Sequence, residues 1–218
     1  MTFPTIESTN TSSQNSDTSS HTIAVPSGVV NGDLVIAWFT VDVNPTISGW
    51  PAGWTQISSL IQGSAVTTEI RFLRATGSLS NFSITTSTNQ NSVHTTYRIS
   101  GHHTTSDPED TTAGVQSSNA NPPSHTATWG AEDNLWIVHS GHNRGDHSIS
   151  TYPETRNNVT QTSLGSGGVV MAICDVDANA SSRDPSNFVW SASQHNTTST
   201  LVVRPAGGAA PARRVFVT

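Results

Sequence analysis

The chain reads as an all-β protein: a single β-sandwich, jelly-roll-like, followed by an extended C-terminal arm. Three observations carry that reading. No window keeps a helical apolar period over three turns, whereas short apolar or alternating runs recur at spacings of about 8–15 residues. Gly, Pro, Asn and Asp clusters punctuate those runs as turns. Only 33% of the 218 residues are hydrophobic and 11% charged, and Ser, Thr, Asn and Gly fill the remainder. A disordered chain of such low apolarity would carry more charge, and six Trp and six Phe remain to build a core.

Residues 1–20 are polar and low in complexity, a leader that Phe3 and Ile6 can anchor as a first edge strand. "HTIAVPSG" (21–28) alternates Ile23 and Val25 against Thr22 and Ala24 and stops at Pro26 and Gly28. "GDLVIAWFTVDV" (32–43) is apolar on both faces, the mark of a central strand. "NPTISGWPAGW" is turn chemistry. "WTQISSLI", "TTEIRFLRA", "FSITTST" and "SVHTTYRISG" follow as strands, and in the last of these Thr95, Tyr97 and Ile99 share a face. A long loop spans residues 102–124. Then come "NLWIVHSG", "GGVVMAICDVD", "NFVWSAS" and "TSTLVVRPA". About ten strands in one unit assign residues 1–206 to the sandwich. Residues 207–218, with "AGGAAPARR" as a linker and "VFVT" as a strand-like tip, form the arm.

The charge balance excludes some partners. A net charge of −6 with no Lys leaves no basic surface for nucleic acid, no Schiff-base lysine and no P-loop lysine. The N-terminal residues lack the basic start and apolar run of a secretory signal, and no stretch has the length of a membrane span. The chain is therefore expected to be soluble and to fold where it is made.

Candidate chemistry is sparse. In "SGHNRGDHS" (140–148), Arg144-Gly145-Asp146 is the tripeptide that cell-adhesion receptors read, but Gly and Asp dominate turns and the stretch is read as a hairpin loop. His139, His142, Asp146 and His147 are weak metal candidates, because a zinc site ordinarily shows two close ligand pairs and the second is missing. Asp175 and Asp177, with Asn179, occupy the odd positions of a calcium loop. Ala180 and Ser186 stand where that loop requires Gly and Glu, so the stretch is read as a polar loop after a strand. No metal or other cofactor is expected. Cys174 shares a face with Val170 and Ala172 and reads as a small core hydrophobe. Glu109–Asp110 and Glu132–Asp133 are adjacent pairs, which do not face each other across a cleft as glycosidase carboxylates do. No serine sits in a Gly-x-Ser-x-Gly elbow. The residues make no enzymatic case. Trp50 and Trp54 are candidates for stacking on a sugar. The arm residues Arg213, Arg214, Val215, Phe216 and Val217 suit a docking strand that adds to the sheet edge of another subunit and favours an acidic surface.

Taken in order, "VPSGVVNGDLVIAWFTVD", "PAGWTQI", "TYRISGH", "PPSHTATWGAEDNLWIV", "SRDPSNFVWSAS" and "LVVRPA" resemble small virion structural proteins of tailed bacteriophages and prophages, from about residue 21 to 206. The resemblance implies a non-enzymatic protein made in the host bacterial cytoplasm and displayed on the virion as a capsid decoration, head-fibre or tail-appendage subunit. It would contact capsid or tail subunits and form a homo-oligomer such as a trimer. The alternative is a virion module that recognises a host surface glycan. The arm lies outside the resemblance.

Overall fold

The computed structural model describes residues 2–111, 115–116, 120–163 and 167–207. Every regular element among them is a β-strand, and all the pairings are antiparallel. The first sheet is built from β1 (Thr5–Ile23), β2 (Leu34–Asp42), β3 (Ile47–Ser48), β4 (Thr55–Gln62), β5 (Val66–Arg74) and β6 (Phe82–Ser100), in the order β1-β6-β2-β5-β4 with β3 on β6. The second contains β7 (Glu109–Asp110), β8 (Val115–Gln116), β10 (Glu132–His142), β12 (Arg156–Thr162), β13 (Val170–Ala180) and β16 (Asn196–Val203). Its order is β12-β13-β10-β16-β7, with β8 on β16. Two short ribbons complete the fold: β9 (His125–Thr126) with β14 (Ser182–Arg183), and β11 (Ile149–Thr151) with β15 (Val189–Trp190).

The inner faces of the two sheets share one core. Leu34, Ile36 and Trp38 of β2, Val66, Ile70 and Phe72 of β5, and Val93, Tyr97 and Ile99 of β6 meet Leu135 and Ile137 of β10, Met171 and Ile173 of β13, and Leu201 and Val203 of β16. The period-2 alternation of side chains explains the set, including the shared face of Tyr97 and Ile99. The apolar residues left over on the outer faces are covered too. Val35 and Ala37 lie under Val25, Val29 and Trp54, and Phe39 and Val41 lie with Ile23 and Ile84. Trp136 and Val202 pack with Ala127, and Val138, Ala172 and Cys174 pack with Phe188, Ile149 and Trp190. That double coverage is why "GDLVIAWFTVDV" carries no polar face.

The polar leader lies at the edge of the first sheet: Thr5–Gln14 pairs with Ser92–Ser100, and after bulges Ser20–Ile23 pairs with Phe82–Thr85. Other sequence expectations change. "FSITTST" and "SVHTTYRISG" are one strand of 19 residues. Its polar middle is satisfied internally. Ser92 lies between two buried imidazoles, 2.7 Å from His21 Nδ1 and 2.8 Å from His94 Nε2, while Thr86 and Ser12 occupy the far nitrogens. The strand order also differs from a jelly roll, in which successive strands alternate between sheets; here the chain completes one sheet before it starts the other.

That segregation exposes a correspondence. Read from the earliest strand of each sheet, the orders are β1-β6-β2-β5-β4 and β7-β16-β10-β13-β12. Ranked by position in the chain, both run first, fifth, second, fourth, third. The registers agree as well: Trp38 lies opposite Ile70 and Thr95, and His139 lies opposite Ile173 and Ser199. Along the central strands Leu34, Ile36, Trp38 and Thr40 therefore correspond to Leu135, Ile137, His139 and Gly141.

Candidate docking groove between the sheet edges

β4 and β7 are edge strands of opposite sheets on the same side of the molecule, joined where Ser58 Oγ donates to Asp110 Oδ2 at 2.6 Å. A depression of about 400 Å³ opens there, lined by Thr55, Gln56 and Ile57 of β4, by Asp107–Asp110, and by His125 and Thr128. A second of about 480 Å³ continues from it towards Ala52, Gly53 and Leu79, and the two share Thr55, Phe72 and Asp107. One wall is thus the unpaired side of an edge strand and the other is acidic.

Asp110 turns its carboxyl into the seam, where Oδ1 is buried without a hydrogen-bond partner. Burial pushes its pKa up to about 7, against the pull of the Ser58 hydroxyl, the Thr111 backbone and the nearby Ser199 hydroxyl. Its neighbour Glu109 points the opposite way, as successive strand residues must. It accepts from Thr128 through both carboxylate oxygens, from the backbone N at 2.9 Å and from the hydroxyl. His125 Nε2 lies 3.7 Å from Glu109 Oε2, yet burial outweighs that carboxylate and holds the imidazole below its ordinary value. The groove end is fixed by Arg74, which donates to the carbonyls of His103 (3.1 Å) and Ser106 (2.7 Å) and pairs with Asp107 at 3.1 Å. Because Glu109 and Asp110 diverge, the groove does not set two carboxylates across a substrate. It offers a backbone edge, an apolar floor at Phe72 and acidic groups, which suits an extended, basic segment.

Of the groove groups, the sequence singled out Glu109 and Asp110 as an adjacent pair, and the long loop 102–124 that contains Asp107–Asp110 as a contact surface for the alternative glycan-recognition reading. Asp107-Pro108 signals a turn, but the meeting of residue 110 with residue 58 is a long-range contact that no local spacing encodes.

The sequence candidates fall elsewhere. His139 and His142, three apart on β10, lie on opposite faces. His139 is buried between the sheets, and His142 lies on the outer face beside Trp190. They cannot share an ion. Burial depresses both, His139 to about 3 and His142 to about 4. Asp175 and Asp177 lie within β13, not in a loop, and both contact Arg156, at 3.2 Å from Nε for Asp175. The guanidinium stands where a cation would. Among the described residues no three His, Cys, Asp or Glu side chains converge to hold a metal.

Arg144 and Asp146 pair with each other through two bonds of 3.0 and 2.9 Å, so the adhesive tripeptide engages itself. Its loop is not a hairpin, since β10 pairs with β13 and β16 while β11 pairs with β15. Trp54 is buried, and Trp50 packs at a tilt against it and Phe82 while Arg71 lies over its ring and Glu69 accepts its Nε1 proton at 2.7 Å. The pair forms a packed cluster with no paired open platform. Cys174 is buried, and its thiol is pushed up to about 12. The arm residues Arg213, Arg214, Val215, Phe216 and Val217 lie outside the described residues.

Comparison with protein-family models, curated proteins and solved structures finds no match to this chain.

Proposed function

We propose that this chain is a non-enzymatic structural protein of a tailed-phage virion, a two-sheet β-sandwich displayed on the particle and docked onto capsid or tail subunits. The single observation that carries the docking part is the edge of β4 beside an acidic groove. An edge strand with unpaired backbone groups is a template for another strand, and β4 lacks Lys, Pro or a charge and is interrupted only by a bulge between Gln56 and Ser58. Its Ile61 is 45% exposed, one of three large apolar side chains left so open among the described residues. The virion part rests on the motif resemblance from residue 21 to 206. A body whose ionisable groups are spent on internal pairs, such as Arg98 with Asp33 at 2.6 Å and Arg204 with Glu132 at 2.7 Å, is consistent with attachment as its task.

The test is sedimentation of particles from a host lysate expressing a tagged chain. The proposal expects the chain to band with particles at a fixed stoichiometry, and a double substitution Arg213→Glu, Arg214→Glu to release it without changing its circular dichroism. A chain that stays in the soluble fraction in both forms contradicts the proposal.

A further inference from the structure

The loop between β10 and β11 holds a constellation that the docking proposal does not use. His142 closes β10 on the outer face of the second sheet and is 1% exposed, with neither Nδ1 nor Nε2 hydrogen-bonded. His147, five residues on, is half-buried, and its Nδ1 is also buried without a partner. The two rings lie 4.9 Å apart between centres, inclined at 58°. On its other side His142 meets Trp190 at 5.1 Å. Two adjacent rings thus bring three buried nitrogens without a partner to one place, where buried polar atoms are ordinarily hydrogen-bonded.

We propose that His142 and His147 form a two-imidazole site for a divalent transition-metal ion of the zinc, copper or nickel type. The spacing fits. With a metal–nitrogen bond of about 2.1 Å, each ring centre stands roughly 3.2 Å from the ion, and a tetrahedral angle then separates the centres by about 5 Å. The rings are held at that spacing by the loop. Gly145 N donates to Gly168 O at 2.9 Å, His147 N to Arg144 O at 3.3 Å, and Ser191 N to Ser148 O at 2.8 Å.

The ligand chemistry sets the ion. Imidazole nitrogens suit zinc, copper and nickel, whereas calcium and magnesium take oxygen ligands. Asp146 is committed to Arg144, so the two imidazoles are the ligands this loop supplies. The inference stands apart from the virion reading and holds or fails whether or not the chain docks on a particle.

Calorimetric titration of the full chain with zinc chloride at pH 7.5, repeated with nickel chloride, tests it. One ion per chain is expected, with the His142 and His147 ring resonances moving together on binding. His147→Ala, a change in a solvent-facing loop, is expected to weaken binding at least about tenfold. His142→Gln, which keeps the volume of the buried ring, should do the same with an unchanged circular dichroism spectrum. No heat with the wild-type chain, or undiminished affinity in His147→Ala, overturns the site.

Discussion

The first and second sheets are laid down in the same strand order, yet their central strands fill the shared core differently. β2 presents Leu34, Ile36, Trp38 and Thr40 to the interior, and β10 presents Leu135, Ile137, His139 and Gly141. The first sheet supplies volume where the second supplies a polar ring and a gap. The gap has a use. Thr68 Oγ1 lies 2.8 Å from Thr40 Oγ1 and 2.7 Å from Thr197 Oγ1, and this hydroxyl chain crosses between the sheets over the bare backbone of Gly141. The polar ring has no such partner, since both nitrogens of His139 are buried and unbonded. Equivalent topology therefore does not impose equivalent chemistry. Each sheet needs only the strand order and a complementary neighbour.

Four substitutions sharpen or break that comparison. The largest effect is expected for Trp38→Ala, which removes one of the two largest fully buried side chains. It should lower the stability from denaturant unfolding by about 3–5 kcal/mol, and a loss under 1 kcal/mol would mean that the first sheet does not anchor the core. Next comes Gly141→Ala. The added Cβ meets Thr68 Oγ1 at 2.7 Å, Thr197 Oγ1 at 2.8 Å and Thr40 Cγ2 at 3.0 Å, so overpacking should destabilise by about 1–3 kcal/mol.

His139→Leu is expected to act in the opposite direction, stabilising at neutral pH by about 1–2 kcal/mol because it removes orphaned polar atoms. It should also blunt acid sensitivity. The folded imidazole, depressed to about 3, stays neutral while the unfolded one takes a proton near 6.5, so the wild-type chain loses stability as pH falls from 6.5 towards 3. Thermal melts at pH 7 and pH 5 read the difference, and an equal acid loss in the variant removes His139 as a cause. Asp110→Asn tests the other sign. With its folded pKa raised to about 7, Asp110 holds a proton that the unfolded carboxyl releases near 3.8, so the wild-type chain loses stability as pH rises through that window. The variant should lack that loss, visible as a flatter melting temperature between pH 5 and pH 7.5.

Much of the layering was legible in the residues. Alternation at Tyr97 and Ile99, double-faced apolarity at residues 32–43 and the burial of Cys174 follow from side-chain period alone. The illegible parts are non-local. Phe3 and Ile6 pointed to an edge strand, but nothing in "TNTSSQNSDTSS" shows how far it runs, because its stability comes from the ladder with residues 82–100 and not from its own propensity. Asp175 and Asp177 carried a calcium-loop spacing, but Arg156 from a neighbouring strand neutralises them. His139 and His142 looked like one cluster in the sequence, and the strand period sends them to opposite faces. The groove escaped notice for the same reason, since its two walls come from residues about fifty positions apart.

The account turns on attachment, and electron cryo-microscopy of purified particles tests it most directly. It predicts two-sheet density at symmetric positions on the capsid or tail, with a neighbouring chain lying along β4 and the Asp107–Asp110 groove. Particles that lack this density, or that carry it with β4 and the groove bare to solvent, would contradict it.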